Sequence, residues 1–239
     1  MYFNQQEHKK IMLQVLEKIS ANSFLANNLG FKGGTACYFI HGLDRFSIDL
    51  DFDILDKGKE EEIKVAVIEL LQKFGAVKTK TSIKLNYASG QQSLKVDLSN
   101  RYQDNFLNTY KVTDIVSGVP LLALQKEDIF AHKLVALTGR GNFEKDGEKF
   151  IANRDLYDLE FFFRNNWNFN EEIVEANTGK KVVEYLKYAA KFVQKHVDEK
   201  NILARLGELV DDEQREWIKN NLKSEVLKYL AIEIKSRGR

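Results

Sequence analysis

The chain has 239 residues, of which 44% are hydrophobic and 30% charged, and its net charge is +1. This composition is typical of a soluble globular protein, and the near-zero charge excludes a nucleic-acid binder that is basic over its whole surface. A single cysteine, Cys37, excludes an intramolecular disulfide, and no apolar run approaches the ~18 residues of a membrane helix, so we expect a cytoplasmic protein with no membrane partner.

The first half of the chain alternates between helical and strand patterns. Apolar residues at helical spacing predict helices over residues 5–28, 33–42 and 59–74. Alternating patterns predict strands over residues 47–54, 77–88, 92–99 and 111–116, with a hairpin turn at Ala88-Ser89-Gly90-Gln91.

After Pro120, the only proline, the pattern is helical. Helices are predicted over residues 121–140, 150–165, 180–197, 202–209 and 212–235. Strands followed by helices predict an α+β chain, with a mixed α/β core over residues 1–120 and a helical subdomain over residues 121–239. Because no Gly/Ser-rich linker occurs, we expect the two parts to abut.

A Gly33-Gly34-Thr35 turn opens the predicted short helix. Two glycines allow a backbone to approach a ligand closely, and the free N–H groups at the start of a helix can bind an anion. Thr35 can cap the helix or offer its hydroxyl to a phosphate. The turn alone is more often only structural, so its significance depends on the strand that follows.

That strand carries Asp49, Asp51 and Asp53 at alternate positions, which places the three carboxylates on one face. The Cα atoms of Asp49 and Asp51 should lie roughly 6.6 Å apart, so both carboxylates can converge on one or two metal ions. Magnesium bound to nucleotide phosphates is the favoured ion. The alternative is an edge strand with acidic residues that prevent aggregation. Asp53 lies at the strand's end and is as consistent with a solvated residue as with a functional one.

The glycine turn followed by Asp-x-Asp resembles the nucleotidyltransferase superfamily that includes DNA polymerase β and kanamycin nucleotidyltransferase. The fuller pattern, from Lys32-Gly33-Gly34-Thr35-Ala36 through Arg45-Phe46-Ser47 to Asp49-Leu50-Asp51, resembles the AbiEii/AbiGii toxin family of type IV toxin–antitoxin and abortive-infection systems. Two later features also match: Lys133 within residues 126–140, and Arg154-Asp155-Leu156-Tyr157-Asp158-Leu159. The resemblance covers residues 31–55 and 126–160.

The resemblance implies a polymerase β-like fold, with a small mixed sheet, helices, and a helical C-terminal half that completes the active site. It implies that Asp49 and Asp51 hold Mg²⁺, with Mn²⁺ as an alternative, and that an NTP is the substrate. It assigns nucleotide binding to Gly33, Gly34, Thr35, Arg45, Ser47 and Lys133. Asp158, favoured over Asp155, would orient or deprotonate the acceptor hydroxyl.

Asp97 is a further catalytic candidate on the predicted strand 92–99. It points away from the apolar side of that strand, and polymerase β-like enzymes place a third carboxylate in this way as a base. The alternative is a solvent-facing aspartate on a two-sided sheet.

The activity implied by the resemblance is transfer of a nucleoside monophosphate from an NTP to an acceptor hydroxyl. The leading acceptor is tRNA, and the implied partner is a cognate antitoxin protein. Transfer to a small molecule or a protein, and a non-catalytic member that only binds a nucleotide or partner, are alternatives. Lysines at 180, 181, 187, 191 and 195 recur at about helical spacing, which suits either a solvated face or an RNA backbone.

Overall fold

The computed structural model describes residues 4–79, 82–88, 92–99, 107–139 and 152–238. The chain divides into two compact units, one ending at Gln125 and the other beginning at Lys126. Within the described ranges, none of the helices combines the length and the apolar character needed to cross a membrane. Of the predicted hairpin turn Ala88-Ser89-Gly90-Gln91, residues 89–91 lie outside the described residues, while the strands on either side of it, which end at Tyr87 and begin at Gln92, pair antiparallel as predicted.

The first unit combines helices with a seven-stranded sheet. Its helices are α1 Gln5–Ala21, α2 Ser23–Asn28, α3 Gly33–His41 and α4 Glu60–Gln72. Its strands are β1 Leu29–Lys32, β2 Asp49–Ile54, β3 Ala76–Lys78, β4 Ile83–Tyr87, β5 Gln92–Ser99, β6 Tyr110–Asp114 and β7 Pro120–Leu124. The order is β3-β4-β5-β2-β1-β7-β6, with the pairs β2/β5 and β1/β7 parallel and the others antiparallel.

The acidic strand β2 lies in the centre of the sheet, between β1 and β5. Its apolar residues Leu50, Phe52 and Ile54 are almost fully buried, and the Phe52 ring packs against that of Phe31 on β1. The edge-strand interpretation of this segment is therefore wrong. A central strand needs no acidic residues against aggregation, because both of its backbone edges are already paired.

The single strand predicted over residues 77–88 is wrong, because β3 and β4 are two strands that pair antiparallel with each other. Two further differences from the predicted elements have local causes. The helix predicted over residues 5–28 is divided at Asn22, whose side chain accepts a hydrogen bond from the Leu25 N–H and caps α2. The helix predicted from residue 121 is wrong at its start, because Pro120–Leu124 forms β7 and α5 begins at Lys126. A short apolar run cannot be assigned to a buried strand or a helix from its periodicity alone.

The second unit is helical in its described part. Its helices are α5 Lys126–Gly139, α6 Asn153–Arg164, α7 Glu171–Thr178, α8 Val182–His196 and α9 Asp212–Arg237. The helix predicted over residues 202–209 is wrong: the segment forms turns that end in a short 3₁₀ helix, Gly207–Leu209. Arg205 has a positive φ of 58°, which interrupts a right-handed helix.

An aromatic cluster holds α5 against α6. The Phe130 ring on α5 packs edge to face on Phe162 and Phe163 of α6, with centroids 5.2 and 4.9 Å apart. Phe162 in turn stacks on Trp167 at 4.5 Å. This packing fixes the faces of α5 and α6 that carry Lys133 and the aspartates of the Arg-Asp-x-x-Asp-Leu element.

Candidate active site

The parallel pairing of β2 with β5 brings three predicted site residues together. In this register Asp97 lies opposite Asp51, and Lys95 lies opposite Asp49. Directly paired residues on neighbouring strands point to the same side of a sheet, at strand spacings of about 4.8 Å. Asp49, Asp51 and Asp97 therefore share one face, which we call the carboxylate face.

Lys95, which is outside the predicted site residues, also lies on this side of the sheet. Its Nζ is 2.8 Å from Oδ2 of Asp97, and the two side chains are 36% and 38% exposed. Burial lowers the pKa of Lys95, but the hydrogen bond to Asp97 and the charges of Asp97, Asp49 and Asp51 outweigh it and raise this pKa overall. Alternation along β5, which places positions 95 and 97 on one side, is the signal that identifies this lysine.

The glycine turn contacts the Asp51 side chain. Gly33 has a φ of +78°, and a Cβ added to it would lie 2.4 Å from Oδ2 of Asp51. A Cβ on Gly34 would lie 2.9 Å from Nη2 of Arg45 and 3.1 Å from Oγ of Ser47. A Cβ at Gly33 would therefore displace the Asp51 carboxylate, and one at Gly34 would displace Arg45 or Ser47.

Thr35, Arg45 and Ser47 are buried around the start of α3. The Thr35 hydroxyl lies 2.8 Å from the Ser47 hydroxyl and also contacts the main-chain carbonyl of Asp49. The Arg45 guanidinium donates to the Phe46 carbonyl at 3.0 Å. These contacts attach the glycine turn to β2, and nucleotide binding by the three side chains stays a prediction.

Asp53 is buried, which contradicts the solvated alternative. Its carboxylate accepts hydrogen bonds from Lys32 Nζ and from the Tyr110 hydroxyl, each at 2.6 Å. Tyr110 also packs on the backbone at Gly30, where a Cβ would lie 2.3 Å from its ring. Asp53 thus joins β1, β2 and β6, and it lies on the same side of β2 as Asp49 and Asp51.

Replacing Gly33 by alanine tests the approach to Asp51, and Gly42→Ala is a matched control. Gly42 has a similar φ of +69°, but a Cβ there meets nothing within 4 Å. Both variants should lose about 1–2 kcal/mol of unfolding free energy from the left-handed backbone. Only Gly33→Ala should also displace Asp51 and lower, by about 10- to 100-fold, the nucleotidyl transfer that the family resemblance implies. Unfolding curves measure the stability of both variants, and a transfer assay measures their activity. Equal activities of the two variants would contradict the contact.

The carboxylates of Asp49 and Asp51 are suited to binding a metal ion. Across the described ranges, no group of three or more His, Cys, Asp or Glu side chains is arranged to hold a metal ion. Mg²⁺ commonly binds to one or two carboxylates and completes its shell with water and substrate phosphates, so the half-buried pair fits this ion. The Asp97 carboxylate is bound by Lys95.

Lys133 and the two aspartates of α6 form a cluster in the second unit. Lys133 Nζ lies 2.5 Å from Asp155 Oδ1 and 2.8 Å from Asp158 Oδ2. The three side chains are 12%, 3% and 0% exposed, in that order. Residues three apart share one face of a helix, so both aspartates reach the lysine. Lys133 pairs with both aspartates, so these contacts do not favour Asp158 over Asp155.

Comparison with solved structures shows the fold. JHP933 from Helicobacter pylori is 19% identical, with a TM-score of 0.53, and the match covers 100% of this chain and 98% of that one. MenT4, a nucleotidyltransferase toxin from Mycobacterium tuberculosis H37Rv, is 17% identical, with a TM-score of 0.52 and coverages of 93% and 91%. Comparison with curated protein sequences gives no match.

The family is shown by a match along most of the sequence. The model of the nucleotidyl transferase AbiEii toxin of type IV toxin–antitoxin systems matches residues 14–228. This span includes β1 to β7, the carboxylate face and the Lys133 cluster. The expected family and the α+β nucleotidyltransferase fold are therefore confirmed, and the chain belongs to the AbiEii family of nucleotidyltransferase toxins.

Proposed function

We propose that this protein transfers a nucleoside monophosphate from an NTP to a hydroxyl of tRNA, with Mg²⁺ as cofactor and Mn²⁺ as an alternative. The observation that carries the proposal is the pairing of Asp51 with Asp97 beside the Gly33 turn. The type IV toxin–antitoxin family supports a cognate antitoxin protein as partner. A tRNA acceptor places the reaction in the cytoplasm.

The residues of the first unit have distinct roles in this proposal. Asp49 and Asp51 hold the cation, which when bound neutralises charge on the triphosphate. The N–H groups at the Gly33-Gly34 turn donate to phosphate oxygens. The acceptor oxygen forms a bond to the α-phosphorus, the bond to pyrophosphate breaks, and the hydroxyl proton passes to the Asp97 carboxylate.

Lys133 and Asp158 take the roles that the family resemblance implies. Lys133 provides positive charge to the triphosphate, and Asp158 orients the acceptor hydroxyl. The ion pairs with Asp155 and Asp158 hold the Lys133 ammonium within a mostly buried cluster.

The exposed face of α8 supports an RNA acceptor. Lys187, Lys191 and Lys195 recur every four residues, about 6 Å apart along the helix, and none pairs with an acidic group among the residues described. Tyr188, which is 42% exposed, lies beside them. Clustered cations with an aromatic ring suit an RNA backbone and its bases.

The other lysines of the predicted run differ from these three. Lys180 pairs with Glu184 at 3.1 Å, and Lys181 pairs with Glu175 at 2.8 Å. We therefore limit the proposed RNA-binding lysines to the three on α8. The two paired lysines serve as a control.

Changing Lys187, Lys191 and Lys195 together to glutamine should lower tRNA labelling about tenfold at moderate salt. The slope of log affinity against log salt should fall by about two to three, while NTP binding stays unchanged. Filter binding at several salt concentrations measures the slope. The Lys180→Gln/Lys181→Gln variant is the control. Equal slopes for both variants would show that these three lysines of α8 do not contact the RNA.

The direct test of the function supplies each α-³²P-labelled NTP with Mg²⁺ and total RNA. Label in tRNA that is absent with Asp49→Ala supports the proposal. Label only in protein or in a small molecule would favour the alternative acceptors, and NTP binding without any transfer would favour a non-catalytic protein. Growth arrest on expression that Asp51→Ala relieves would support the toxin role.

A further inference from the structure

Lys95 provides a cation within the carboxylate face. It lies opposite Asp49 on the neighbouring strand, and its Nζ contacts Asp97 two residues along its own strand. Lys32 lies opposite Asp51 on β1, and its ammonium is bound to the buried Asp53 at 2.6 Å. Lys95 therefore places a positive charge next to Asp97 and near Asp49 and Asp51.

We propose that Lys95 is a positioning residue that holds Asp97 beside Asp51 and competes with the divalent cation for the carboxylate face. The inference rests on the proposed function, because it assumes that Asp49 and Asp51 hold that cation. It extends that function by assigning a role to a residue outside the sequence motifs.

Repulsion among the carboxylates supports this role. Without Lys95, the Asp51 and Asp97 carboxylates would face each other across one strand spacing, with Asp49 two residues away. Like charges directly opposite on a sheet destabilise it, and a nearby cation offsets the repulsion. The Lys95 ammonium supplies such a cation beside Asp97 before any metal binds, and Lys32 lies opposite Asp51 on β1.

Because the ion pair between Lys95 and Asp97 is exposed, we expect it to orient the Asp97 carboxylate more than to stabilise the fold. Both side chains are more than one-third exposed, and exposed ion pairs contribute little to folding. The hydrogen bond fixes where one oxygen of Asp97 points, which matters for a group that receives a proton. Lys95 therefore acts on the reaction through Asp97.

Two effects of removing Lys95 are expected in opposite directions. The metal-free protein should become less stable, because repulsion on the carboxylate face is no longer offset. Mg²⁺ should bind more tightly, because a competing positive charge has been removed. A residue with a purely structural role would lower stability without changing the Mg²⁺ response.

The experiment compares Lys95→Met and Lys95→Arg with Lys84→Met as control. Lys84 is an exposed lysine on β4, directly opposite Lys95 and one strand further from the carboxylates. Thermal unfolding is followed during a Mg²⁺ titration, and kcat for nucleotidyl transfer is measured separately.

For Lys95→Met we expect metal-free unfolding about 2–4 °C lower, half-saturating Mg²⁺ about tenfold lower, and kcat about 10- to 100-fold lower. Lys95→Arg, which retains charge and donor, should recover most of the wild-type behaviour. Lys84→Met should resemble the wild type. If Lys95→Met does not fold, Lys95→Gln tests the competition with Mg²⁺ by itself, because glutamine removes the charge and retains a donor.

The outcomes separate this inference from the proposed function. A wild-type protein that Mg²⁺ does not stabilise would overturn the metal site of Asp49 and Asp51, and this inference with it. A wild type that responds, together with a Lys95→Met variant of unchanged half-saturation, would overturn the role of Lys95 alone.

Discussion

Asp51→Asn is expected to reduce nucleotidyl transfer by about 1,000-fold or more without loss of folding stability. Asparagine has nearly the same shape as aspartate, so it should fit against Gly33. It also removes one of two carboxylates that face each other on β2 and β5, which relieves repulsion. The loss of activity follows because a neutral amide no longer helps to hold the cation that offsets transition-state charge.

This prediction is measured by transfer of labelled nucleotide and by thermal unfolding with and without Mg²⁺. Asp114→Asn, at an exposed aspartate on β6, is the matched control and should leave both properties unchanged. The stabilisation by Mg²⁺ should be lost in Asp51→Asn only. An active Asp51→Asn protein would show that the chemistry does not depend on this carboxylate.

Lys133→Met is expected to lower the free energy of unfolding by about 3–5 kcal/mol. The variant leaves the Asp155 and Asp158 carboxylates buried without their shared ammonium partner, and both are at most 3% exposed. Buried charges that lose their partner are much costlier than exposed ones. Chemical denaturation followed by circular dichroism measures the change.

Two comparisons separate this cost from a loss of catalysis. Lys219→Met breaks an exposed ion pair with Glu216 on α9 and should cost under about 1 kcal/mol. Adding Asp155→Asn and Asp158→Asn to Lys133→Met should recover much of the stability, because the buried charges that Lys133 paired are removed, but should recover no activity. A Lys133→Met protein as stable as the wild type would show that the cluster tolerates its buried charges.

The residues of the glycine turn and the acidic strand could be predicted because their signals are local. Gly33 and Gly34 open α3 as expected, and alternation placed Asp49 and Asp51 on one face of a single strand. Spacing within one element follows from backbone geometry, and it does not depend on which element lies beside it. The helices α4, α6, α8 and α9 were predicted for the same reason.

The strands β1 and β7 were not predicted, because they are short and gain their hydrogen bonds only from neighbours. β7 pairs with β1 and β6, and its residues Leu121, Ala123 and Leu124 are buried. In sequence the same residues are a short apolar run that suits a helix equally well. Sheet pairing decided its conformation.

Sequence by itself determined the family and the two carboxylates expected to hold a metal, because both depend on residue types at short, fixed spacings. Only the tertiary structure decided that β2 is central, that Asp97 faces Asp51, and that Lys95 and Asp53 have partners near them. The partners of Asp53 lie 21 and 57 positions away from it in the sequence. Lys95 and Asp97 are only two positions apart, but the sequence does not tell which strand lies beside theirs. The register between strands is set by the packing of the whole sheet, so no local pattern contains it.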